Sequence, residues 1–280
     1  MKNIAMSNGV EIPAVGFGVY QIPPEQTQKA VEEALEVGYT HFDTAQFYFN
    51  EAELGAALKA TGVDRSTLFI TTKVWFSNYG DGKTAASIDE SLEKLGTDYA
   101  DLILLHQPFG DTYGAWRDLE KAYEEKKVRA IGVSNFAPDR VVDLGTFNNV
   151  MPMINQIETN PFHQRQAEHA EYQKRGIVHE AWAPFGEGRN NLFSNEVLAG
   201  IGAKYNKSVA QVVMRWLVQN DVVALAKSVH KDRMAQNIDI FDFELSAEDL
   251  AAIAALDTGS SLFFEHTAPA TVDFMAGLNR

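Results

Sequence analysis

Eight short apolar runs recur along this chain, each followed by a stretch of helical periodicity, and that alternation limits the possible folds more than any other feature. The runs cover residues 15–18, 41–43, 68–73, 102–106, 130–134, 153–156, 179–183 and 222–226. Between them apolar residues fall three or four apart: Ala30, Ala34 and Leu35, then Leu54, Ala57 and Leu58, then Ala85, Ile88, Leu92 and Leu95, then Trp116, Leu119, Ala122 and Tyr123. Strands alternating with helices pair in parallel through right-handed crossovers. Eight such units predict an α/β fold, a closed (β/α)8 TIM barrel, and 280 residues suit one such barrel, which takes about 250. Residues 3–13 read as an N-terminal β-hairpin turning at Asn8-Gly9. No linker rich in Pro, Gly or Ser divides residues 1–280, so one domain is expected. A doubly wound sheet would need a glycine-rich loop opening a helix after its first strand. Gly16-Phe17-Gly18-Val19-Tyr20 lacks the third glycine and leads into no helix.

A net charge of −14 repels polyanions, which argues against nucleic-acid and anionic-membrane partners. The densest basic stretch, residues 227–233, is too short for a duplex and suits a small anion such as a phosphate. With no cysteine there is no disulfide, thiol nucleophile or thiolate metal site, and no metal is expected. No apolar run approaches the roughly 18 residues of a membrane helix, and residues 1–9 lack a signal-like apolar core. A cytoplasmic monomer is the expectation.

Chemistry in such a barrel belongs at the C-terminal ends of the strands. Asp43, Lys73, His106, Asn135, Gln156 and Trp182 all stand at or just past those ends, on different strands, and should converge. Lys73 places a charge at the end of an apolar strand, where it must be paired or lose its solvation. Asp43 is a natural counter-ion. Tyr48 lies on the loop after Asp43, and Asn50 reads as the N-cap of the next helix. A free phenol has a pKa of about 10, and a nearby cation favours its ionised form. With His106 able to hydrogen-bond a substrate oxygen, the group forms a proton donor and polar anchor for a carbonyl. Each residue alone has a plainer reading as a turn residue, a core histidine or a loop aromatic. Four together do not.

Several motifs run in order along the chain: 38–45 (GYTHFDTA) through 48–51 (YFNE), Thr72-Lys73-Val74-Trp75, 98–108 (DYADLILLHQP), Gly132-Val133-Ser134-Asn135-Phe136, Asn155-Gln156-Ile157-Glu158, and Lys227-Ser228 followed by Arg233 and Asn237. On these the chain resembles the aldo-keto reductase superfamily, in the manner of bacterial aldehyde and diketogluconate reductases. The resemblance implies a tetrad of Asp43, Tyr48, Lys73 and His106, with Tyr48 as general acid and NADPH as hydride donor. It implies that Ser134, Asn135 and Gln156 bind the nicotinamide carboxamide, and that Trp182 stacks on the ring where many members carry tyrosine. Lys227, Ser228 and Arg233 would hold the 2′-phosphate, with the dipole of a helix beginning near Val229 adding to their charge and favouring NADPH over NADH. Gly18, Val19, Tyr20, Phe185, Gln236 and Asn237 would line the rest of the cofactor site. Tyr20, Phe47, Trp75 and Gln107 would line the substrate pocket beside a C-terminal substrate-side loop at residues 262–266.

Gln107 replaces a common tryptophan, which should make the pocket more polar, and Gln236 replaces a common glutamate. Glu187, near the expected pyrophosphate, needs a cation such as Arg189. The implied substrate is a small aldehyde, a dicarbonyl or a keto sugar. Two other readings stay open here: an NADPH-binding regulatory barrel without turnover, and a lyase or isomerase using Lys73 as a Schiff-base amine.

Overall fold

The computed structural model describes residues 2–278. Its chain begins with the hairpin, strands β1 (Asn3–Ala5) and β2 (Glu11–Pro13) pairing antiparallel. Gly9 turns it with φ of +83°, a left-handed conformation that glycine adopts without a Cβ clash. Asn8 Oδ1 accepts from Val10 N within the turn. Met6 and Ile12 join the same buried core as Phe69, Ala100 and Val128, so the hairpin covers the end of the barrel at which the strands begin.

Strands β3 (Val15–Gly18), β4 (His41–Asp43), β5 (Phe69–Val74), β6 (Ala100–Leu105), β7 (Val128–Ser134), β8 (Ile154–Glu158), β9 (Val178–Trp182) and β10 (Val222–Ala226) follow. They close in the order β10-β3-β4-β5-β6-β7-β8-β9, every pair parallel. All eight expected strands are present, their ends within two residues of those read from periodicity. Helices such as Pro24–Val37, Glu51–Thr61, Lys83–Leu95 and Thr112–Glu124 return the chain between them. Among the described residues no helix is long and apolar enough to cross a membrane.

Strand pleating puts alternate residues on the inner face. There β4 brings His41 and Asp43, β5 Thr71 and Lys73, β8 Gln156, and β9 Glu180 and Trp182. Room for the imidazole comes from Gly16, where a Cβ would stand 2.5 Å from both His41 Nδ1 and Leu225 Cδ2. Gly132 does the same for Ile154, whose Cγ2 would lie 2.4 Å away. The interior is thus filled by side chains, and its polar ones gather toward the C-terminal mouth.

Two local expectations are corrected. Asn50 occupies the N-cap position of Glu51–Thr61, but its side chain does not cap. It accepts from Thr44 Oγ1 at 2.8 Å and donates to Val19 O at 3.0 Å, joining the loops after β3 and β4. The last basic helix starts at Lys231 and not near Val229, because the Ser228 hydroxyl bonds both N–H and C=O of His230 and holds a turn there.

Candidate active site

Lys73 is fully buried, yet all three ammonium protons have acceptors. Nζ donates to Asp43 Oδ1 at 2.6 Å, Thr44 O at 3.1 Å and Tyr48 Oη at 3.2 Å. Burial acts to lower its pKa, but attraction to Asp43 and Tyr48 with their hydrogen bonds outweighs it, and the net shift is upward. The amine stays charged.

Tyr48 ends a single 3-10 turn, Gln46–Tyr48, after which Phe49 takes a left-handed φ of +56°. Gln46 anchors that turn with four bonds. Its Oε1 accepts from Trp75 N and Asn78 Nδ2, both at 2.9 Å, and its Nε2 donates to Ser87 O and Ser91 Oγ, both at 3.1 Å. Burial pushes the Tyr48 phenol up to about 12, with Lys73 pulling the other way. The expected influence of the cation is present, but desolvation exceeds it, and the phenol is fully protonated at neutral pH.

His106 follows β6, its ring 5.6 Å from that of Tyr48 and 5.1 Å from that of Trp75 between centroids, both edge-on. Burial, with Lys73 adding to it, holds the imidazole well below its ordinary pKa, so it is neutral. Its Nδ1 has no hydrogen-bond partner among the described residues. The four members of the expected tetrad are therefore together.

The residues expected around the nicotinamide also converge. Asn135, left-handed at φ of +66°, donates from Nδ2 to His106 O and Ser134 Oγ, both at 3.1 Å, and accepts from Trp182 Nε1 at 2.8 Å. Ser134 Oγ donates to Gln156 O at 2.9 Å. The Gln156 amide nitrogen is spent between Asp43 Oδ2 at 3.0 Å and Glu180 Oε2 at 2.9 Å, which leaves only its Oε1 to face a ligand. Glu180 itself was not anticipated. It is fully buried, and burial, with the Asp43 charge adding to it, pushes its carboxyl up to about 8. Its spacing of two residues from Trp182 was the available signal, since a strand puts such pairs on one face.

The remaining cofactor candidates divide. Lys227, Arg233 and Gln236 are exposed at the end of β10 and on Lys231–Ile238, while Ser228 is buried. Asn237, one turn after Arg233 on that helix, is buried beside Tyr39. At the end of β3, Gly18 has no atom within 4 Å of where a Cβ would stand, Val19 N donates to Asp43 O at 3.0 Å, and the half-exposed Tyr20 ring lies 4.8 Å from that of Tyr48. Phe185 packs on Phe193. Glu187 does find Arg189, at 3.7 Å. Arg189 also covers the Phe263 ring at 4.1 Å and donates to Leu262 O, so the loop after β9 grips the C-terminal tail. The tail is tied down again by Glu158, which accepts from Ser261 Oγ at 2.5 Å and Leu262 N at 2.9 Å. Phe263 stands 5.2 Å from Trp182, which brings the tail to the mouth as expected.

On the substrate side Phe47 stacks on Trp75, with centroids 4.0 Å apart. The Tyr79 hydroxyl brackets the backbone of buried Gln107, donating to its C=O at 2.9 Å and accepting from its N–H at 3.1 Å. Gln107 Oε1, like His106 Nδ1, is buried without a partner among the described residues. Buried polar groups of native proteins rarely go unpaired, and these two belong to adjacent residues just past the end of β6.

A phenol braced by an ammonium beside a neutral imidazole serves enzymes that pass a proton to a carbonyl oxygen, and on this fold the class is a barrel oxidoreductase. The chain belongs to the aldo/keto reductase family, whose family model matches residues 14–258. It is 45% identical over 259 residues to the glyoxal reductase of Bacillus subtilis (strain 168), covering 91% of this chain and 92% of that protein. Over 262 residues it is 39% identical to methylglyoxal reductase DkgA of Yersinia pestis, with 92% and 94% covered. Among solved structures, an aldo-keto reductase of Bombyx mori in complex with NADP matches with a TM-score of 0.88 at 33% identity, covering 94% of this chain and 95% of that one.

Proposed function

We propose that the protein reduces a small aldehyde, dicarbonyl or keto sugar to the alcohol with NADPH, Tyr48 giving the proton. The observation that carries this reading is the 3.2 Å contact between the Lys73 ammonium and the Tyr48 phenol oxygen. The NADP complex of the Bombyx mori relative supports the cofactor. So does the chain's own donor set: Trp182 offers a flat face, Ser134, Asn135 and Gln156 Oε1 cluster beside it, and exposed Lys227 and Arg233 suit a phosphate dianion.

When bound, NADPH supplies hydride to the carbonyl carbon. Tyr48 and His106 hydrogen-bond the carbonyl oxygen. As charge develops there, the Tyr48 hydroxyl gives up its proton, and Lys73 stabilises the phenolate left behind. Asp43 keeps Lys73 charged and aimed. Burial keeps Tyr48 protonated until the substrate oxygen demands the proton. Buried Gln107, an amide where an aromatic wall is common, makes this side of the site more polar, which suits an oxygen-rich carbonyl such as a dicarbonyl or a keto sugar. The glyoxal and methylglyoxal reductases among the relatives support the same class.

A Schiff-base role for Lys73 needs an unprotonated amine, and this one is held charged by three oxygens. The complete tetrad argues against a barrel without turnover. The deciding experiment follows nicotinamide absorbance with NADPH and NADH against glyoxal, methylglyoxal, simple aldehydes and keto sugars. Oxidation of NADPH by at least one carbonyl is expected, and silence across the whole panel would reject the reading.

A further inference from the structure

Glu180 has no part in the chemistry above, although it is fully buried on the inner face of β9. One amide nitrogen, Gln156 Nε2, donates both to its Oε2 and to Asp43 Oδ2. The other carboxyl oxygen, Glu180 Oε1, has no hydrogen-bond partner among the described residues. His41 Nε2 lies 4.0 Å from it, beyond hydrogen-bond reach, and is already 3.1 Å from Thr71 Oγ1. The ionisable groups facing Glu180 are His41 and Asp43 from β4 and Lys73 from β5. Gln156 is its neighbour on β8, and β10 brings only aliphatic residues. His41 is neutral, because burial lowers its pKa to about 3. Lys73 is the cation of this set, and it is committed to Asp43. Two buried acids thus share one amide and one counter-charge, an arrangement that a pair of carboxylates cannot occupy without strong repulsion.

We propose that Glu180 is a positioning residue of the carbonyl-reducing site: as an uncharged acid it holds the Gln156 amide against Asp43 and so keeps Asp43 under Lys73, and as a carboxylate it opposes the negative charge that reduction builds on the Tyr48 oxygen. This inference rests on the reductase reading. The lift of the Glu180 carboxyl to about 8 puts its ionisation between neutral and alkaline pH, where an added buried charge weakens transition-state stabilisation. Proton donation by Tyr48, held up to about 12, fails only at higher pH.

The test measures kcat for NADPH-dependent reduction from about pH 6 to about pH 10 for wild type, E180Q and E180L, with NADPH affinity by fluorescence titration. E180Q has the shape of the protonated acid, keeps the acceptor for Gln156 and has no charge to gain. Wild-type kcat is expected to fall about tenfold as pH rises through about 8, whereas E180Q stays within about twofold of wild type near pH 6.5 and lacks that fall. E180L, without the acceptor, is expected to lose about tenfold in kcat near pH 6.5 with less than about threefold change in NADPH affinity. An alkaline fall unchanged in E180Q overturns the charge effect, and an E180L enzyme with the wild-type rate and profile overturns the positioning role. If E180L does not fold, the E180Q profile decides alone. A wild type that oxidises NADPH with no carbonyl overturns the reductase reading and this inference with it, an outcome separate from an active enzyme indifferent to Glu180.

Discussion

The indole N–H of Trp182 donates to Asn135 Oδ1 at 2.8 Å, joining the end of β9 to the residue that follows β7. A phenyl ring at this position would have no donor at all, so the bond is lost with the indole. The ring is held against the left-handed Asn135 turn, which also carries the His106 carbonyl on its Nδ2. Replacing Trp182 by phenylalanine keeps a flat face and frees Asn135 Oδ1. Most of the NADPH-induced quenching of tryptophan fluorescence is expected to vanish in Trp182→Phe, while affinity changes by less than about fivefold. Undiminished quenching would place the nicotinamide elsewhere.

Lys73→Met removes the cation and leaves buried Asp43 without its partner. Breaking a buried pair from one side costs about 3–5 kcal/mol, so the variant should fold but denature at lower urea, and its turnover should be lost. Adding Asp43→Asn removes the stranded charge. The double variant is expected to regain most of the lost stability and none of the activity; urea denaturation and turnover of wild type, the single Lys73→Met and Asp43→Asn variants and the double variant check both.

Tyr48→Phe takes away the proposed proton donor and no proposed cofactor contact. Its kcat should drop by a factor of about 100 to 10,000, with NADPH affinity unchanged in a binding titration. Near-normal turnover would transfer the acid role to another group.

Lys227 and Arg233 are exposed cations flanking the Ser228 turn, whereas neighbouring Lys231 is paired with Glu36. Charge-assisted bonds to a phosphate contribute about 1.5–3 kcal/mol. Lys227→Ala and Arg233→Ala should each weaken NADPH at least about tenfold and leave NADH nearly unaffected. Equal weakening of both cofactors would contradict the 2′-phosphate assignment.

The Glu180 carboxyl also ties stability to pH. Its folded pKa, about 8, exceeds the unfolded value of 4.5, so the folded chain keeps a proton that the unfolded chain releases. The resulting stability is complete below about pH 4.5 and is lost as pH rises through about 8. E180Q cannot lose that proton. Its thermal midpoint relative to wild type should therefore rise across this window, a difference in which the other titrating groups cancel.

Much of this was legible before any coordinates. Each strand is a short apolar run bounded by helical spacing, and three tetrad members stand at or just past a strand end with Tyr48 on the loop after one of them, so a barrel topology was enough to bring Asp43, Lys73 and His106 together. The Glu187–Arg189 pairing could be foreseen from charge alone. Gln46 could not be singled out, and for Glu180 the two-residue spacing from Trp182 gave the face but not the role, because nothing in an isolated loop glutamine or strand glutamate tells which of its polar atoms will lack water. Asn50 misled for a related reason. Its position promised a cap, but Thr44 and Val19, brought close by the closed sheet, claimed its side chain.

The sequence by itself determined the period of each segment, the turn chemistry of the hairpin and the residues at every strand's C-terminal end, all properties of neighbours a few positions apart. Tertiary structure alone decided which polar atoms share a partner. Gln156 meets Asp43 across 113 positions, and Trp182 meets Asn135 across 47. Closing eight strands into a ring removes water from their inner faces and leaves buried donors and charges to pair with whatever stands opposite. The protonation of Tyr48 and Glu180 follows from that desolvation and from no local pattern.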